Sequence, residues 1–268
     1  MEVGPWRSAR GGGPVEVGPW RSGQDFELER TQLLHPAMGA SACMMQKTGI
    51  SGRLPMANGL LLAVFDFSGA HADEFHDWYD LEHIPERRAI AGFGACERWI
   101  GAEQPAMSLA TYDLDSVDVL RGEAYGSIAY GNLSVWSKRV TAMCKRLLRF
   151  EGTQITPGAA RAPKAAGGLL VNAMNVAPEV EADFNAWYDE EHLPALARVP
   201  GTQAARRYRS AEAGGGTHRY VALYHLESPA VTKSAAWKAA IETPWSERMR
   251  PHFRDRIRIL AQAYVRGG

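Results

Sequence analysis

The sequence predicts an α+β protein made of two tandem βαββαβ modules that pack sheet to sheet. The first observation behind this prediction is an internal repeat, which sets the number of modules. Residues 75–85 and 184–194 share the pattern F-x-x-W-Y-D-x-E-H-[IL]-P. The second observation is that short β-branched or alternating stretches, typical of strands, recur between amphipathic stretches, typical of helices.

The match between the two modules continues on both sides of this motif. Residues 59–61 correspond to 168–170, 98–99 to 207–208, 112–116 to 224–228, and 136–139 to 245–248. The chain of 268 residues is long enough for two units of about 100 residues each. We therefore predict modules at 56–155 and 168–268, joined by a Pro- and Ala-rich linker at 156–167.

The sequence predicts the same order of elements in each module. The first strand lies at 59–66 or 168–176, and the first helix begins near Ala72 or Glu179. Two strands follow, at 93–100 and 107–114 or at 202–209 and 218–226. A second helix lies within 116–146 or 228–253, interrupted in the second module by Pro244 and Pro251, and a last strand lies at 147–155 or 256–265. This order is the ferredoxin-like split βαβ unit. One such unit leaves a sheet face uncovered, and two units can bury these faces against each other.

Residues 1–55 differ from the rest of the chain. They are rich in Gly, Pro, Arg and Ser, and residues 2–8 recur almost unchanged at 16–22. Such a composition buries too little apolar surface to offset the entropy lost on ordering. We predict a disordered N-terminal tail; a linear motif presented twice around Trp6 and Trp20 is the alternative.

Composition excludes several kinds of partner. The 30 basic and 30 acidic residues give a net charge of zero, which argues against nucleic acid and against a polybasic membrane contact. The sequence contains no apolar run of about 18 residues, as a membrane span requires. Three widely spaced cysteines indicate a reducing compartment. We predict a cytoplasmic protein with a small-molecule substrate, and a homodimer is compatible with the sequence.

The repeated motif places aromatic and polar side chains on one stripe of the first helix. Phe75, Trp78, Tyr79, Glu82 and His83 have helical spacing, and the second module repeats them. Proline disfavours a helical residue before it, so the helix should end just after the histidine. The helix C-terminus and the nearby carboxylates would favour the imidazolium, with the aspartate or glutamate orienting one ring nitrogen.

Two sets of candidate site residues follow. The candidates for acid–base chemistry are His83, His192, Glu82, Glu191, Asp80 and Asp189. The candidates for substrate binding are Trp78, Tyr79, Tyr112, Arg98, Trp187, Tyr188, Tyr224 and Arg207. Both tryptophans are expected to pack in the core. The arginines could hold a ligand carboxylate, but pairing with Glu82 and Glu191 is favoured. The Glu-His pair could instead be structural.

Two differences between the modules suggest that one pocket has specialised. His76 stands where the second module has Asn185, and Asp113 stands where it has His225. Strand alternation places Tyr112 and Tyr224 on the opposite sheet face from Asp113 and His225. Motifs for nucleotide phosphates, for zinc and for a nucleophilic serine are absent from the sequence. We therefore expect neither a metal nor a cofactor.

The helix motif and the element order resemble the dimeric α+β barrel superfamily, and most closely its EthD-like members. The resemblance covers about residues 58–266. It implies two ferredoxin-like units paired as a pseudo-dimeric barrel within one chain, with small-molecule pockets between sheet and helices. Related barrels include polyketide cyclases, lactone isomerases, cofactor-free monooxygenases and haem-degrading enzymes. Several use a histidine as acid or base, and the matching positions here are His83 and His192.

The leading functional prediction is a cofactor-independent isomerase, cyclase or lyase acting on a small aromatic, polyketide-like or lactone substrate. His83 or His192 would transfer a proton next to a carbonyl group. One alternative is a non-catalytic small-ligand-binding or accessory protein with a structural Glu-His pair. A haem-binding barrel is the third and least favoured reading.

Overall fold

A computed structural model describes residues 59–210 and 218–266. The predicted tail and its duplicated segment lie outside the described residues. Residues 59–156 form the first half of the described structure, and residues 168–266 form the second half. In the described residues, no helix is long and apolar enough to cross a membrane.

Eight antiparallel-paired strands form one closed barrel in the order β1-β3-β2-β8-β5-β7-β6-β4. The strands of the first half are β1 (Gly59–Asp66), β2 (Phe93–Gly101), β3 (Met107–Leu114) and β4 (Lys145–Thr156). Those of the second half are β5 (Gly168–Val176), β6 (Thr202–Ser210), β7 (Tyr220–Leu226) and β8 (Phe253–Ala263). These bounds lie within three residues of the predicted ones. The predicted sheets are thus joined edge to edge, through β2–β8 and β4–β6, into a single wall.

Strand alternation divides the apolar residues between the barrel interior and the space under the helices. In β1, Leu60, Leu62 and Val64 belong to the interior core, whereas Leu61 packs under the helices of the first half. The interior core also contains Val171 and other residues of the second half. The barrel is therefore held together by burial of apolar surface contributed by both halves.

The helices lie outside the barrel and are short. Those of the first half are α1 (Ala72–Trp78), α2 (Ile84–Arg88), α3 (Glu123–Gly126) and α4 (Val135–Met143). Those of the second half are α5 (Glu181–Ala186), α6 (Leu193–Ala197), α7 (Ala235–Ile241) and α8 (Pro244–Met249). The uninterrupted second helix predicted in the first half was wrong, because 3₁₀ turns and short helices replace it. In the second half, the predicted interruptions at Pro244 and Pro251 are confirmed, since α8 begins at Pro244 and a 3₁₀ turn spans Arg250–His252. Glycines at 122, 126 and 131 and prolines at 229, 244 and 251 explain the interruptions.

The prediction that the first helix ends after the histidine was also wrong. A π-helical turn, Tyr79–His83, joins α1 directly to α2, and Trp187–His192 joins α5 to α6. Ile84 keeps helical angles (φ −68°, ψ −45°), and its N–H bonds to the carbonyl of Tyr79. The wider π turn relaxes the contact between the following proline and the preceding turn. Each motif histidine therefore lies inside a continuous helical segment.

Candidate active site

The two motif histidines occupy matching places between a helix and the outer face of the barrel. His83 packs on Trp78 with a ring-centroid distance of 4.5 Å, and His192 stacks on Trp187 at 4.2 Å. His83 is half-buried and His192 is buried. In the described part of the chain, the buried Nδ1 atom of each ring has no hydrogen-bond partner. Buried polar atoms without a partner are uncommon, and a bound water or ligand is one explanation for them.

Two tyrosines adjoin His83. The ring of His83 lies 5.0 Å from that of Tyr79 and 6.3 Å from that of Tyr112. Neither hydroxyl makes a hydrogen bond of normal geometry to a described residue. Burial raises the pKa of Tyr79 to about 12 and raises that of Tyr112 well above its usual value. Both tyrosines are therefore neutral hydrogen-bond donors at pH 7.

The prediction of a protonated imidazole was wrong. Burial, followed by the charges of Arg87, Arg98 and Arg149, lowers the pKa of His83 well below its ordinary value. Burial and nearby arginines lower the pKa of His192 to about 3. Because the helix continues past each proline, the negative end of a helix dipole does not face the ring. Both imidazoles are consequently neutral at pH 7.

The motif glutamates do not orient the histidines. The Glu82 carboxylate accepts hydrogen bonds from the hydroxyls of Ser134 (2.6 Å) and Ser137 (2.9 Å) at the start of α4. In the second half, Glu191 accepts one from Thr243 (2.5 Å) at the start of α8. The tryptophan of each motif joins the same network, since Trp78 Nε1 donates to Ser137. These glutamates therefore tie one helix to another.

Replacing Ser137 by alanine should lower the free energy of unfolding by about 2–3 kcal/mol, because it removes a partner of both Trp78 and a carboxylate at a buried site. Urea denaturation would measure this loss. Ser127→Ala removes an exposed hydroxyl that bonds only to a local carbonyl, and should change stability by under about 0.5 kcal/mol. Equal losses of stability in the two variants would show that the Ser137 hydroxyl does not hold Trp78 and Glu82 against α4.

The motif aspartates pair with arginines, which corrects the predicted pairing of those arginines with Glu82 and Glu191. Arg98 Nη1 donates to Asp80 at 2.7 Å, and Arg207 Nη1 donates to Asp189 at 3.3 Å. The Arg98 guanidinium lies between the rings of Tyr79 and Tyr264, 4.3 and 3.9 Å from their centroids. Asp80 and Asp189 thus hold an arginine rather than an imidazole.

The aromatic residues of the motif and of strand β3 or β7 are all buried. They include all six aromatic candidates for substrate binding, which are Trp78, Tyr79, Tyr112, Trp187, Tyr188 and Tyr224. The expectation that both tryptophans are core residues is confirmed. Alternation also places Asp113 and His225 on the interior face, as predicted, so their difference does not distinguish two helix-side pockets.

The surroundings of His83 include charged residues that the motif pattern did not reveal. Arg87 is buried one turn after His83 and donates to the Ile128 carbonyl, at 3.4 Å, and to Glu86. Arg149 of β4 bonds to Tyr125 and Glu151. The position matching Arg87 in the second half is Leu196, which is an apolar core residue. The signal available in the sequence was the i, i+4 spacing of Arg87 from His83.

Cavities of about 580, 460 and 440 Å³ open on the described part of the structure. Asp80 and Arg98 line the 440 Å³ cavity, beside Arg88 and Lys164. The 580 Å³ cavity adjoins it and is lined by His76 and Tyr264, among others. His83 and His192 line none of the three cavities. The predicted arginine site and the predicted histidine site are therefore separate.

Comparison with known proteins identifies the fold. An anthrone oxidase-like protein has a TM-score of 0.54 at 13% identity, covering 78% of this chain and 92% of the other. A mutant chlorite dismutase from Candidatus Nitrospira defluvii has 0.52 at 12%, covering 78% and 91%. A haem-binding protein from Thermus thermophilus has 0.51 at 16%, covering 78% and 92%.

Other comparisons give no family assignment. No family model matches the chain, and no curated protein matches it. The structural neighbours are dimeric α+β barrel proteins, which agrees with the eight-stranded closed barrel seen here. At these identities the likeness shows the fold alone.

Proposed function

We propose that the chain is a cofactor-independent small-molecule enzyme in which His83 transfers a proton next to a carbonyl group. The observation that carries this proposal is the buried, unpartnered Nδ1 of a neutral imidazole that packs against two tyrosine rings, whose hydroxyls also lack a partner among the described residues. A polar group of a bound ligand would satisfy these atoms. The apolar rings around them favour an aromatic, polyketide-like or lactone substrate.

The neutral state of His83 fits a base, because a base must begin without the proton. The α C–H bond of the substrate would break, with the proton moving to the imidazole and the electron pair moving into an enolate. Tyr79 and Tyr112 would donate hydrogen bonds to the enolate oxygen. Return of the proton to another carbon would complete an isomerisation, while loss of a leaving group would make the reaction an elimination.

The arginines near His83 support an anionic intermediate. Burial first, and then the charges of Arg87, Arg98 and Arg149, lower the pKa of the imidazole, so a lone imidazole here is a weak base. The same positive charges would stabilise an enolate. A bound enolate would in turn make the imidazolium more stable, so that proton transfer creates a matched pair of charges. Since Leu196 replaces Arg87 in the second half, we assign the reaction to the first half.

Access to His83 requires movement of the chain above it. The segment between α3 and α4 covers this region, since the Ile128 carbonyl bonds to Arg87. Within it, Tyr130 is 64% exposed and has a φ of 54°, a conformation unusual for a bulky side chain. We propose that this segment opens to admit the substrate.

We further propose that the barrel arose by tandem duplication of an EthD-like, ferredoxin-like unit, with modules at 56–155 and 168–268. The same strand order and the same π-helical motif occur in both halves. Corresponding tyrosines also occupy corresponding registers, with Leu61 opposite Tyr112 and Leu170 opposite Tyr224.

Two structural neighbours are described as a haem-binding protein and a chlorite dismutase, and a haem-binding barrel was the third prediction. The residues around the matched histidines do not fit a haem. Each imidazole packs against a tryptophan ring, and the neighbouring space is filled by Tyr79 and Tyr112 or by Tyr188 and Tyr224. To hold a haem, the imidazole would need open space beside its ring. We therefore derive no step through haem.

A histidine substitution tests the proposed reaction. Wild-type protein should accelerate deuterium exchange at the α-carbon of 2-tetralone, or isomerisation of α-angelica lactone, as followed by NMR in D₂O. His83→Gln should reduce the rate by about 10²- to 10⁴-fold, the usual range for loss of a general acid or base. His192→Gln is the matched control and should remain within about threefold. Unchanged activity in His83→Gln would exclude His83 as the base.

A non-catalytic binding protein is the second candidate. The observation in its favour is that Arg98 and Asp80 line an open cavity, whereas the histidines do not. Under this alternative, wild-type protein would accelerate neither probe reaction. His83→Gln would then lower the melting temperature without changing binding of an aromatic acid such as 2-naphthoate.

A further inference from the structure

The barrel wall has a gap along one edge of β8. On one side, β8 pairs with β5 along most of its length, from Phe253 to Gln262. On the other side it pairs with β2 only at residues 261–263, because β2 ends at Gly101. The N-terminal part of β8 therefore has one edge without a strand partner within the described residues. The 460 Å³ cavity lies in this gap.

Most of the cavity lining is apolar. The apolar side chains are Met107, Leu147, Leu148, Ile257, Ile259 and Leu260. Leu148 and Ile259 belong to the interior core, whereas Leu260 packs with the helix-side core of the second half. The cavity thus passes between the two faces of the wall. An apolar ligand that removed this surface from water would be bound favourably. The cavity volume of 460 Å³ is typical of small-molecule pockets.

A positive charge marks the opening of the cavity. Arg258 lines it, is exposed, and makes no hydrogen bond or ion pair with a described residue. Arg256 lies two residues earlier on the same strand, and Glu103 is the carboxylate on the lining. The Arg256 guanidinium lies over the Phe253 ring and is not part of the lining. Arg258 makes no ion pair with Glu103, so its guanidinium is available to a negatively charged group. The lining contains neither His83 nor any other residue of the proposed active site.

We propose that this gap is a second ligand site, which binds a small carboxylic acid with its apolar body in the barrel wall and its carboxylate on Arg258. Arg258 has unused donors that suit a carboxylate. Strands of both halves build the site, since β2, β3 and β4 meet β8 there. Binding is independent of the proton-transfer reaction proposed above.

Calorimetric titration of the full chain with octanoate and with 1-octanol tests the site. Octanoate should bind saturably and more tightly than octanol, because only octanoate has a charged head. Arg258→Met should weaken octanoate binding by about ten- to a hundredfold and leave octanol within about twofold. Arg198→Met, which alters an exposed arginine outside the cavity, should change neither.

Filling the cavity tests the position of the apolar body. Leu147→Trp and, independently, Met107→Phe should weaken both ligands in variants that melt like the wild type. The proposal would be overturned by any of three results: no saturable octanoate binding to the wild type, equal affinities for octanoate and octanol, or an unchanged octanoate affinity in Arg258→Met. Wild-type affinity for both ligands in two folded cavity-filling variants would also overturn it.

Discussion

Replacing Arg206 by methionine is expected to lower the free energy of unfolding by about 3–5 kcal/mol. The Arg206 side chain is fully buried inside the barrel, and its Nη1 donates to both carboxylate oxygens of Asp113 at 2.8 Å. Asp113 accepts one further hydrogen bond, from the Ala162 N–H. The substitution would leave this carboxylate buried without its counter-charge, which is far more costly than losing an exposed ion pair.

Urea denaturation of two further variants separates this effect from loss of packing. Arg209→Met changes an exposed arginine on the same strand and should cost under about 0.5 kcal/mol. The double variant Asp113→Asn with Arg206→Met removes both charges, and should recover a large part of the loss. If the double variant were as unstable as Arg206→Met, the unpaired carboxylate would not be the cause.

Two contacts inside the barrel account for the difference between Asp113 and His225. From the sequence, this difference suggested that one pocket had specialised. His225 bonds to Glu97 at 3.4 Å, and Arg206 bonds to Asp113, so each contact joins the two halves. Glu97 and Arg206 occupy corresponding positions, as do Asp113 and His225. The first half supplies both carboxylates, and the second half supplies the guanidinium of Arg206 and the imidazole of His225. Each half therefore matches the other half better than it would match a copy of itself.

The strands were predictable because their signal is local. In β1, alternate residues face the interior and the helices, and both faces are apolar, which gives a short continuous apolar run. The prolines predicted the breaks in the second helix of the second half, but amphipathic spacing alone did not reveal those of the first half, where glycines interrupt the stretch. The π turn was missed for a similar reason. Pro85 was expected to end a helix, although a widened turn before it lets the helix continue.

The grouping of the motif residues on one helix was predictable from the sequence, but their contacts were less so. Helical spacing correctly grouped Trp78, Tyr79 and His83, because this geometry is set within one helix. The partner of Glu82 depends on a helix more than fifty residues later, and spacing within the motif carries no information about it. The shared Trp-Ser pair at 136–137 and 245–246 was the available signal, since Ser137 and Ser246 receive the hydrogen bonds of the motif tryptophans.

Acid should destabilise the protein, and His192 should account for a measurable part of that loss. Burial lowers its pKa from 6.5 to about 3, so between these values the unfolded chain binds a proton that the folded protein does not. Stability is therefore greatest above pH 6.5 and falls as the pH decreases towards 3. At roughly 1.4 kcal/mol per pH unit, the full loss is on the order of 4–5 kcal/mol. The lowered pKa values of His83 and His225 act in the same direction.

Comparison with a variant isolates the contribution of His192, because carboxylates also lose stability in acid. Urea denaturation of wild type and His192→Gln between pH 8 and pH 4 should show a gap that narrows as the pH falls, since glutamine does not titrate. His71→Gln replaces an exposed histidine and should follow the wild-type curve. Parallel curves for wild type and His192→Gln below pH 6.5 would mean that the buried imidazole is protonated in the folded protein. Such a result would also weaken the case for a neutral base at the matching position, His83.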